Sequence, residues 1–192
     1  MSFSWLEDAL TQRAQVGLLR QRVCQQYEKD NVICINGDHY LNFSSNDYLG
    51  MRQHEGVLQS WVEGLAQFGG GSGASPLVTG HTQAHLALEA TLADGLNREA
   101  ALLFSSGFAA NQAVCTALFG QGSPSASAAQ SSAIFADKLM HASFLEGAMS
   151  LKKNVSLRRF RHNNVEHLAS LLSARGSLHT DALIASEGVF SM

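Results

Sequence analysis

The sequence lacks the features that would place the chain in a membrane or on a nucleic acid. No apolar stretch reaches the roughly 20 residues that a membrane-spanning helix requires. Thirteen Lys and Arg residues oppose 16 Asp and Glu residues, and no long run of one sign occurs. This balance argues against a nucleic-acid footprint or a polybasic membrane surface. The N-terminal stretch carries Glu7 and Asp8 and resembles neither a signal nor a transit peptide.

Cysteine is scarce as well. The three cysteines, Cys24, Cys34 and Cys115, are odd in number and widely scattered. This pattern indicates a reducing compartment rather than a disulfide framework, so we expect a cytoplasmic protein. The length of 192 residues suits one domain with a sizeable core.

Several sequence motifs of catalysis and phosphate binding are absent. The sequence has neither the G-x-S-x-G motif of α/β-hydrolases nor the GxxxxGK[ST] phosphate loop. The glycines of residues 69–73 follow no predicted strand, which argues against a dinucleotide fingerprint. His81 and His85 lie four residues apart on a predicted helix, but no third metal ligand is evident. We therefore expect no metal site.

The pattern of apolar residues predicts an N-terminal arm followed by an α/β region. In the arm, a helix over residues 4–27 precedes a hairpin that turns at Asn36-Gly37. Helices over residues 53–67 and 82–96 follow, and from Ala100 short strands alternate with helices, which is typical of a parallel sheet. The predicted strands are 101–104, 133–136, 156–160 and 182–185, the later helices begin near residues 108, 141 and 163, and residues 121–132 form a surface loop.

Ligands of such sheets bind beyond the carboxyl ends of the strands. The segment after the first predicted strand contains Ser106 and Gly107 and opens a helix, whose free N–H groups suit a phosphate. An ordinary helix cap at Ser106 explains the same residues equally well. His141, after the second strand, suits stacking on a planar cofactor or a structural role. Glu187 and Ser191 add a carboxylate and a hydroxyl at the same edge.

Several motifs in one order carry a family resemblance. They are FSSNDYLG from Phe43, Gly71-Ser72-Gly73, Thr79-Gly80-His81, SGFAANQ from Ser106, the segment from Asp137 to Ser143, and EGVFSM from Glu187. This series resembles the α-oxoamine synthase family of pyridoxal-phosphate (PLP) enzymes. The resemblance extends from about residue 5 to the last residue.

The resemblance implies an α/β protein of fold type I. Residues 1–50 would form an N-terminal arm of a helix and a hairpin. Residues 51–192 would form the first part of a PLP-binding large domain, truncated, with a mostly parallel sheet and flanking helices. The chain would thus be the N-terminal portion of a homodimeric acyltransferase.

The residues of two motifs indicate one reaction among those of the family. SSNDYLG and SGFAANQA favour the members that condense L-alanine with pimeloyl-CoA or a pimeloyl-acyl-carrier protein in biotin biosynthesis. Members of the glycine C-acetyltransferase or 5-aminolevulinate synthase type remain the alternatives.

The resemblance also assigns site residues. The backbone amides of Gly107 and Phe108 would bind the cofactor phosphate, and His141 would stack on the pyridine ring and position substrate. Ser191 would contact the region of the ring's phenolic oxygen. Arg20 and Asn46 would contact substrate.

The sequence departs from the family at two positions. The family requires an Asp–x–x–His strand and, further on, a lysine that holds the cofactor covalently, and neither can be placed here. The lysines present are Lys29, Lys138, Lys152 and Lys153, none in a matching context. We therefore expect the chain to be inactive alone. A self-associating module without catalysis, or a nucleotide-binding domain that uses Gly107, are the competing interpretations.

Overall fold

The computed structural model describes residues 3–120, 132–151, 155–174 and 181–191. The predicted surface loop at residues 121–132 lies outside these ranges except for Ser132, and so do Lys152 and Lys153. The chain forms two compact units, Met1–Gly71 and Ser72–Met192. The division into an arm of residues 1–50 and a domain from residue 51 stays a prediction. In the described ranges no helix is both long and apolar enough to cross a membrane.

The first helix is shorter than the sequence predicts. Helix α1 spans Trp5–Gln15, and the chain then leaves the helix at Gly17, whose φ is +69°. The N–H of Leu18 donates to the carbonyl of Arg13 at 2.8 Å, and that of Gly17 to Ala14 at 3.1 Å. This is a Schellman motif, in which a left-handed glycine ends the helix. The predicted continuation to residue 27 is wrong because the glycine turn redirects the chain.

A three-stranded antiparallel meander follows α1. Strand β2 (Val32–Ile35) pairs with β3 (Asp38–Leu41), which confirms the predicted hairpin. Asn36 and Gly37 have φ values of +54° and +88°, as a two-residue hairpin turn of this twist requires. Strand β1 (Tyr27–Lys29), on the other side of β2, was not predicted.

Helix α2 (Glu55–Phe68) completes the first unit, close to its predicted bounds, after a 3-10 turn at Met51–Gln53. The Arg52 guanidinium lies 2.8 Å from the Glu28 carboxylate. The hydrogen bond from Arg52 holds the pKa of Glu28 below its ordinary value of 4.5, although partial desolvation opposes the shift. This pair ties the turn before α2 to β1.

The second unit is a parallel sheet with helices on both faces. Strand β4 (Ser132–Asp137) lies between β5 (Val155–Phe160) and β6 (Ala182–Ala185). Helices α4 (Gly107–Phe119) and α5 (Ala142–Met149) pack on one face and α6 (Val165–Ala174) on the other. Helix α3 (Gln83–Gly95) precedes them in the chain. These three strands and four helices confirm the predicted α/β class.

The core lies on the two faces of β4, all six residues of which are buried. Ile134 and Ala136 pack on one face against residues of α4, α5 and β6, namely Cys115, Phe119, Phe144, Ala148 and Ala185. Ala133 and Phe135 pack on the other face with Phe160 and with α6, through Leu168, Leu171 and Leu172. Because side chains alternate along a strand, a central strand covered on both faces is apolar on both, as β4 is from Ala133 to Ala136.

The first predicted strand, residues 101–104, is not formed. The segment has no regular structure, and Leu102 and Phe104 are exposed. The N–H of Leu103 donates to the Glu89 carboxylate of α3 at 3.1 Å instead of to a neighbouring strand. Apolar composition favours a strand, but a strand also requires an edge with which to pair.

Asp137 ends β4 with a carboxylate that has no solvent exposure. Its oxygens accept hydrogen bonds from the Leu139 N–H at 2.8 Å, the Asn163 N–H at 3.0 Å and Nδ1 of His162 at 3.0 Å. Burial would raise the pKa of Asp137, but these hydrogen bonds outweigh it and hold the pKa below its ordinary value of 3.8. The charge is kept because three donors satisfy it.

Replacing this carboxylate tests its contribution to stability. Asp137→Asn is expected to lower the free energy of unfolding at pH 7 by about 2 kcal/mol, since it removes a charged acceptor of buried donors. Because the folded pKa lies below the ordinary value of 3.8, the contribution is complete well above 3.8 and is lost as the pH falls from there through the folded pKa. Urea unfolding from pH 7 to pH 3 should therefore show the gap between wild type and variant closing in acid.

Asp181→Asn is the matched control, because Asp181 is exposed. It should change the free energy of unfolding by less than about 0.5 kcal/mol. Equal stability of D137N and wild type at pH 7, or a gap that does not change with pH, would contradict the role assigned to Asp137.

Candidate functional site

Three segments meet at the carboxyl edge of the parallel sheet. They are the first turns of α4, the connection from β4 into α5, and the residues that follow β6. Ligands of open α/β sheets bind at this edge. Hydrogen bonds join all three segments.

The N-terminus of α4 presents free backbone donors. Ser106 is extended, and its Oγ accepts the Ala109 N–H at 3.1 Å, so it is the helix cap that one interpretation predicted. Among the described residues, the N–H groups of Gly107 and Phe108 have no hydrogen-bond partner. A Cβ at Gly107 would meet no atom within 4 Å. The cap thus leaves two N–H groups at the positive end of the helix dipole, with open space beside them.

His141 starts α5 as its cap. The Nδ1 atom of its imidazole accepts the N–H of Ser143 at 3.2 Å and lies 2.7 Å from the Ser143 hydroxyl oxygen. His141 itself is exposed, whereas Ser143 is buried with 1% exposure. One ring nitrogen is therefore engaged with the helix and the rest of the ring faces outward.

Ser143 connects this histidine to α4. The Asn111 side-chain amide donates to the Ser143 hydroxyl at 2.8 Å, and the Gln112 side-chain amide donates to the Ser143 carbonyl at 3.0 Å. The helices approach closely at Gly147, where a Cβ would lie 3.2 Å from the Cys115 sulfur. These contacts hold His141 and the N-terminal turns of α4 in one arrangement.

The residues after β6 are held at two points. A Glu187 carboxylate oxygen accepts the backbone N–H of His141 at 2.6 Å. The Phe190 ring packs edge-on against His162, with ring centroids 4.6 Å apart. Ser191 follows Phe190 directly, and its contact with a ligand stays a prediction.

The two predicted substrate contacts, Arg20 and Asn46, lie in the N-terminal region of the chain. Arg20 lies in irregular, exposed chain after α1. Asn46 is also exposed, and its side-chain oxygen accepts the Tyr48 hydroxyl at 3.5 Å. Both belong to the first unit, and their substrate contacts stay predictions.

Sequence reasoning missed the roles of Asn111 and Ser143. A local signal existed for Ser143, because it is the second helical residue after a capping position and its N–H needs an acceptor. No local signal existed for Asn111, since its partner lies 32 residues further along the chain.

Comparison with known protein families gives one match over most of the chain. Residues 38–192 match the family described as Aminotransferase class I and II. The chain is 44% identical to the 8-amino-7-oxononanoate synthase of Citrobacter koseri over 187 residues, which are 97% of this chain and 45% of that protein. It is also 44% identical to the enzyme of the same name from Aliivibrio fischeri over 171 residues, 89% of this chain and 41% of that one.

Solved structures also resemble the chain over most of its length. Serine palmitoyltransferase of Sphingomonas wittichii superposes with a TM-score of 0.82 at 25% identity, over 100% of this chain and 46% of that one. The enzyme of S. paucimobilis, solved with PLP and myriocin bound, gives a TM-score of 0.80 at 26% identity, over 99% and 47%. An 8-amino-7-oxononanoate synthase of Francisella tularensis gives 0.57 at 30% identity, over 78% and 37%.

The chain thus spans less than half the length of these relatives. Their identities confirm the resemblance that the motifs indicated, and their structures confirm the fold-type-I architecture. By its match over residues 38–192, the chain belongs to the Aminotransferase class I and II family.

Proposed function

We propose that this chain is part of an 8-amino-7-oxononanoate synthase, a PLP-dependent acyltransferase that condenses L-alanine with pimeloyl-CoA or a pimeloyl-acyl-carrier protein and releases carbon dioxide. The identity of 44% to relatives of that name supports it. The observation that carries the proposal is the Ser143 linkage, which holds a planar imidazole and two free helix N–H groups at one sheet edge.

The residues at this edge fit the chemical groups of PLP. The N–H groups of Gly107 and Phe108 suit the phosphate, because a helix N-terminus supplies both donors and a favourable dipole. The outward-facing imidazole of His141 suits stacking on the pyridine ring, and Ser191 would contact the ring's oxygen substituent. When bound, PLP supplies an electron sink for the amino-acid carbanion.

We propose separately that two residues of the first unit contact substrate. Arg20 and Asn46 would contact substrate, and their polar side chains are exposed and open to a ligand. Arg20 suits a carboxylate, because guanidinium pairs with that group through two parallel hydrogen bonds. Asn46 suits a polar group of either reactant, since its amide both donates and accepts.

A pair of substitutions at Gly107 tests the proposed phosphate-binding site. Gly107→Pro removes one N–H, and the helix should tolerate it, because proline suits the first helical position and Ser106 is already extended, with φ −161° and ψ 157°. We expect PLP to bind about 10-fold more weakly, the cost of one hydrogen bond to a charged group. Calorimetric titration with PLP and with inorganic phosphate measures the change.

Gly107→Ala is the matched control, because it keeps the N–H and its Cβ meets no neighbouring atom. It should bind PLP within about twofold of wild type, a difference of less than 0.5 kcal/mol. Equal affinities of G107P and G107A would contradict the phosphate assignment. Displacement of PLP by a nucleotide would instead support the nucleotide-binding interpretation.

We also propose that this chain by itself does not hold PLP covalently at one defined position. Among its four lysines, Lys29 lies in β1, and Lys138 directly follows β4, three residues before His141. Neither context matches the family lysine. Without that lysine the usual covalent attachment and base are missing, so the chain would be inactive alone.

Borohydride reduction tests this directly. Treating the PLP-loaded chain with borohydride and digesting it should give no stoichiometric pyridoxyl adduct at a single lysine, because none of the four lysines lies in the sequence context of the family lysine. Peptide mass spectrometry makes the measurement, with an intact PLP-dependent transferase as positive control. One fully modified lysine in this chain would refute the proposal.

The apolar face of α2 supports a homodimeric or self-associating state. Its exposed apolar side chains, 43–65% accessible, are Val57, Leu58, Trp61, Val62 and Leu65. Contiguous exposed apolar surface of this kind marks association sites. We propose that a second copy of the chain covers it.

Sedimentation velocity tests the association. Wild type is expected to sediment as a dimer or larger species at about 50 μM, within the micromolar to millimolar range in which exposed apolar surface drives association. Trp61→Glu should shift the population toward monomer, because it places a charge in the apolar face. Ser60→Glu, on the same helix outside the apolar set, should not. A clean wild-type monomer would contradict the proposal.

We further propose that the protein works in the cytoplasm. All three cysteines are free thiols, and Cys34 and Cys115 are buried. Burial raises the pKa of the Cys115 thiol and so suppresses its reactivity. Free cysteines of this kind are typical of a reducing compartment.

A further inference from the structure

The hydrogen bonds of His141 determine where its ring carries hydrogen. A backbone N–H can only donate, and the Ser143 N–H points at Nδ1 from 3.2 Å. This contact therefore favours a lone pair on Nδ1. A neutral imidazole with a lone pair at Nδ1 carries its hydrogen on Nε2.

The Ser143 hydroxyl strengthens this arrangement. Its oxygen accepts a hydrogen from the Asn111 amide at 2.8 Å, which leaves its own hydrogen free to donate to Nδ1 of His141, 2.7 Å away. The result is a directed chain from Asn111 through Ser143 to His141. Ser143 is 1% exposed, so water does not compete for its hydroxyl.

The opposite nitrogen of the ring is available to a ligand. In the described part of the chain, Nε2 of His141 has no hydrogen-bond partner, and the residue is exposed. The Glu187 carboxylate meanwhile holds the backbone of the same residue through its N–H. Both the place of the ring and the identity of its free donor are thus set before any ligand arrives.

We propose that Asn111 and Ser143 are positioning residues that select, for the neutral His141 ring, the tautomer with hydrogen on Nε2, so that the site offers one oriented N–H donor to an oxygen atom of its ligand. The ligand chemistry that fits is a carbonyl, carboxylate or phenolate oxygen, which accepts from a neutral N–H. The identity of that ligand rests on the proposed function, whereas the hydrogen position on the ring does not.

The inference is tested on the chain without cofactor, by long-range ¹H–¹⁵N spectra of the histidine rings in uniformly labelled protein at pH 8, above the ordinary histidine titration range near 6.5. A His141→Gln spectrum identifies the His141 signals. Wild type should show one tautomer, with a protonated Nε2 and an unprotonated Nδ1 whose ¹⁵N shifts are far apart. A protonated Nδ1, or the averaged shifts of a free imidazole, would overturn the proposal.

Substitutions then test whether Ser143 and Asn111 set the hydrogen position on the His141 ring. Ser143→Ala removes the hydroxyl, and Asn111→Asp turns the donor into an acceptor that draws the hydroxyl hydrogen away from His141. Both should move the two ring ¹⁵N shifts toward each other. Gln112→Leu is the matched control, because Gln112 bonds the Ser143 carbonyl rather than its hydroxyl, and it should leave the shifts unchanged.

Amide ¹H–¹⁵N spectra of each variant report whether the fold is retained. If S143A loses its fold, N111D and the wild-type tautomer still decide the question. Wild-type shifts retained in folded N111D would remove Asn111 from the proposal, and equal changes in N111D and Q112L would reduce the effect to helix packing. Because no cofactor is present, failure of PLP binding leaves this result untouched.

Discussion

The burial of β4 on both faces is the constraint on which the second unit depends. Every residue from Ser132 to Asp137 is buried, and each face of the strand has its own apolar cluster. The strand can end in an ionised carboxylate only because three donors surround Asp137. Those donors belong to the turn after β4 and to the loop after β5. The interaction that stabilises the end of the core strand therefore also shapes the edge at which the site lies.

The site follows from this edge through short connections. Three residues separate Asp137 from His141. The turn that the Asp137 carboxylate stabilises therefore places the His141 imidazole at the sheet edge. Ser143 is buried where α5 packs against α4. Its hydroxyl contacts both the His141 ring and Asn111 of α4, the helix whose N-terminus offers free N–H groups. Glu187, which follows β6, accepts the backbone N–H of His141. The buried member, Ser143, is stable there because its hydroxyl and carbonyl both have hydrogen-bond partners.

Much of this organisation could be predicted from the sequence, because its signals are local. The Asn36-Gly37 turn specifies a hairpin, Ser106 and Gly107 specify the start of a helix, and apolar periodicity specifies β4 to β6 with their helices. The failures have the opposite cause. Residues 101–104 have the composition of a strand but pair with no strand of the described ranges. Helix α1 ends at a glycine whose left-handed conformation overrides the apolar pattern that continues beyond it.

The sequence by itself determined the α/β class, the family resemblance and the candidates Gly107 and His141, since each depends on neighbours within a few residues along the chain. Only the tertiary structure decided that Asn111 bonds Ser143 and that Glu187 accepts the backbone N–H of His141, because those contacts close over 32 and 46 residues and leave no periodic trace. It also decided which nitrogen of His141 is left free. That choice depends on the direction of two hydrogen bonds, and direction is a property of the folded arrangement rather than of residue order.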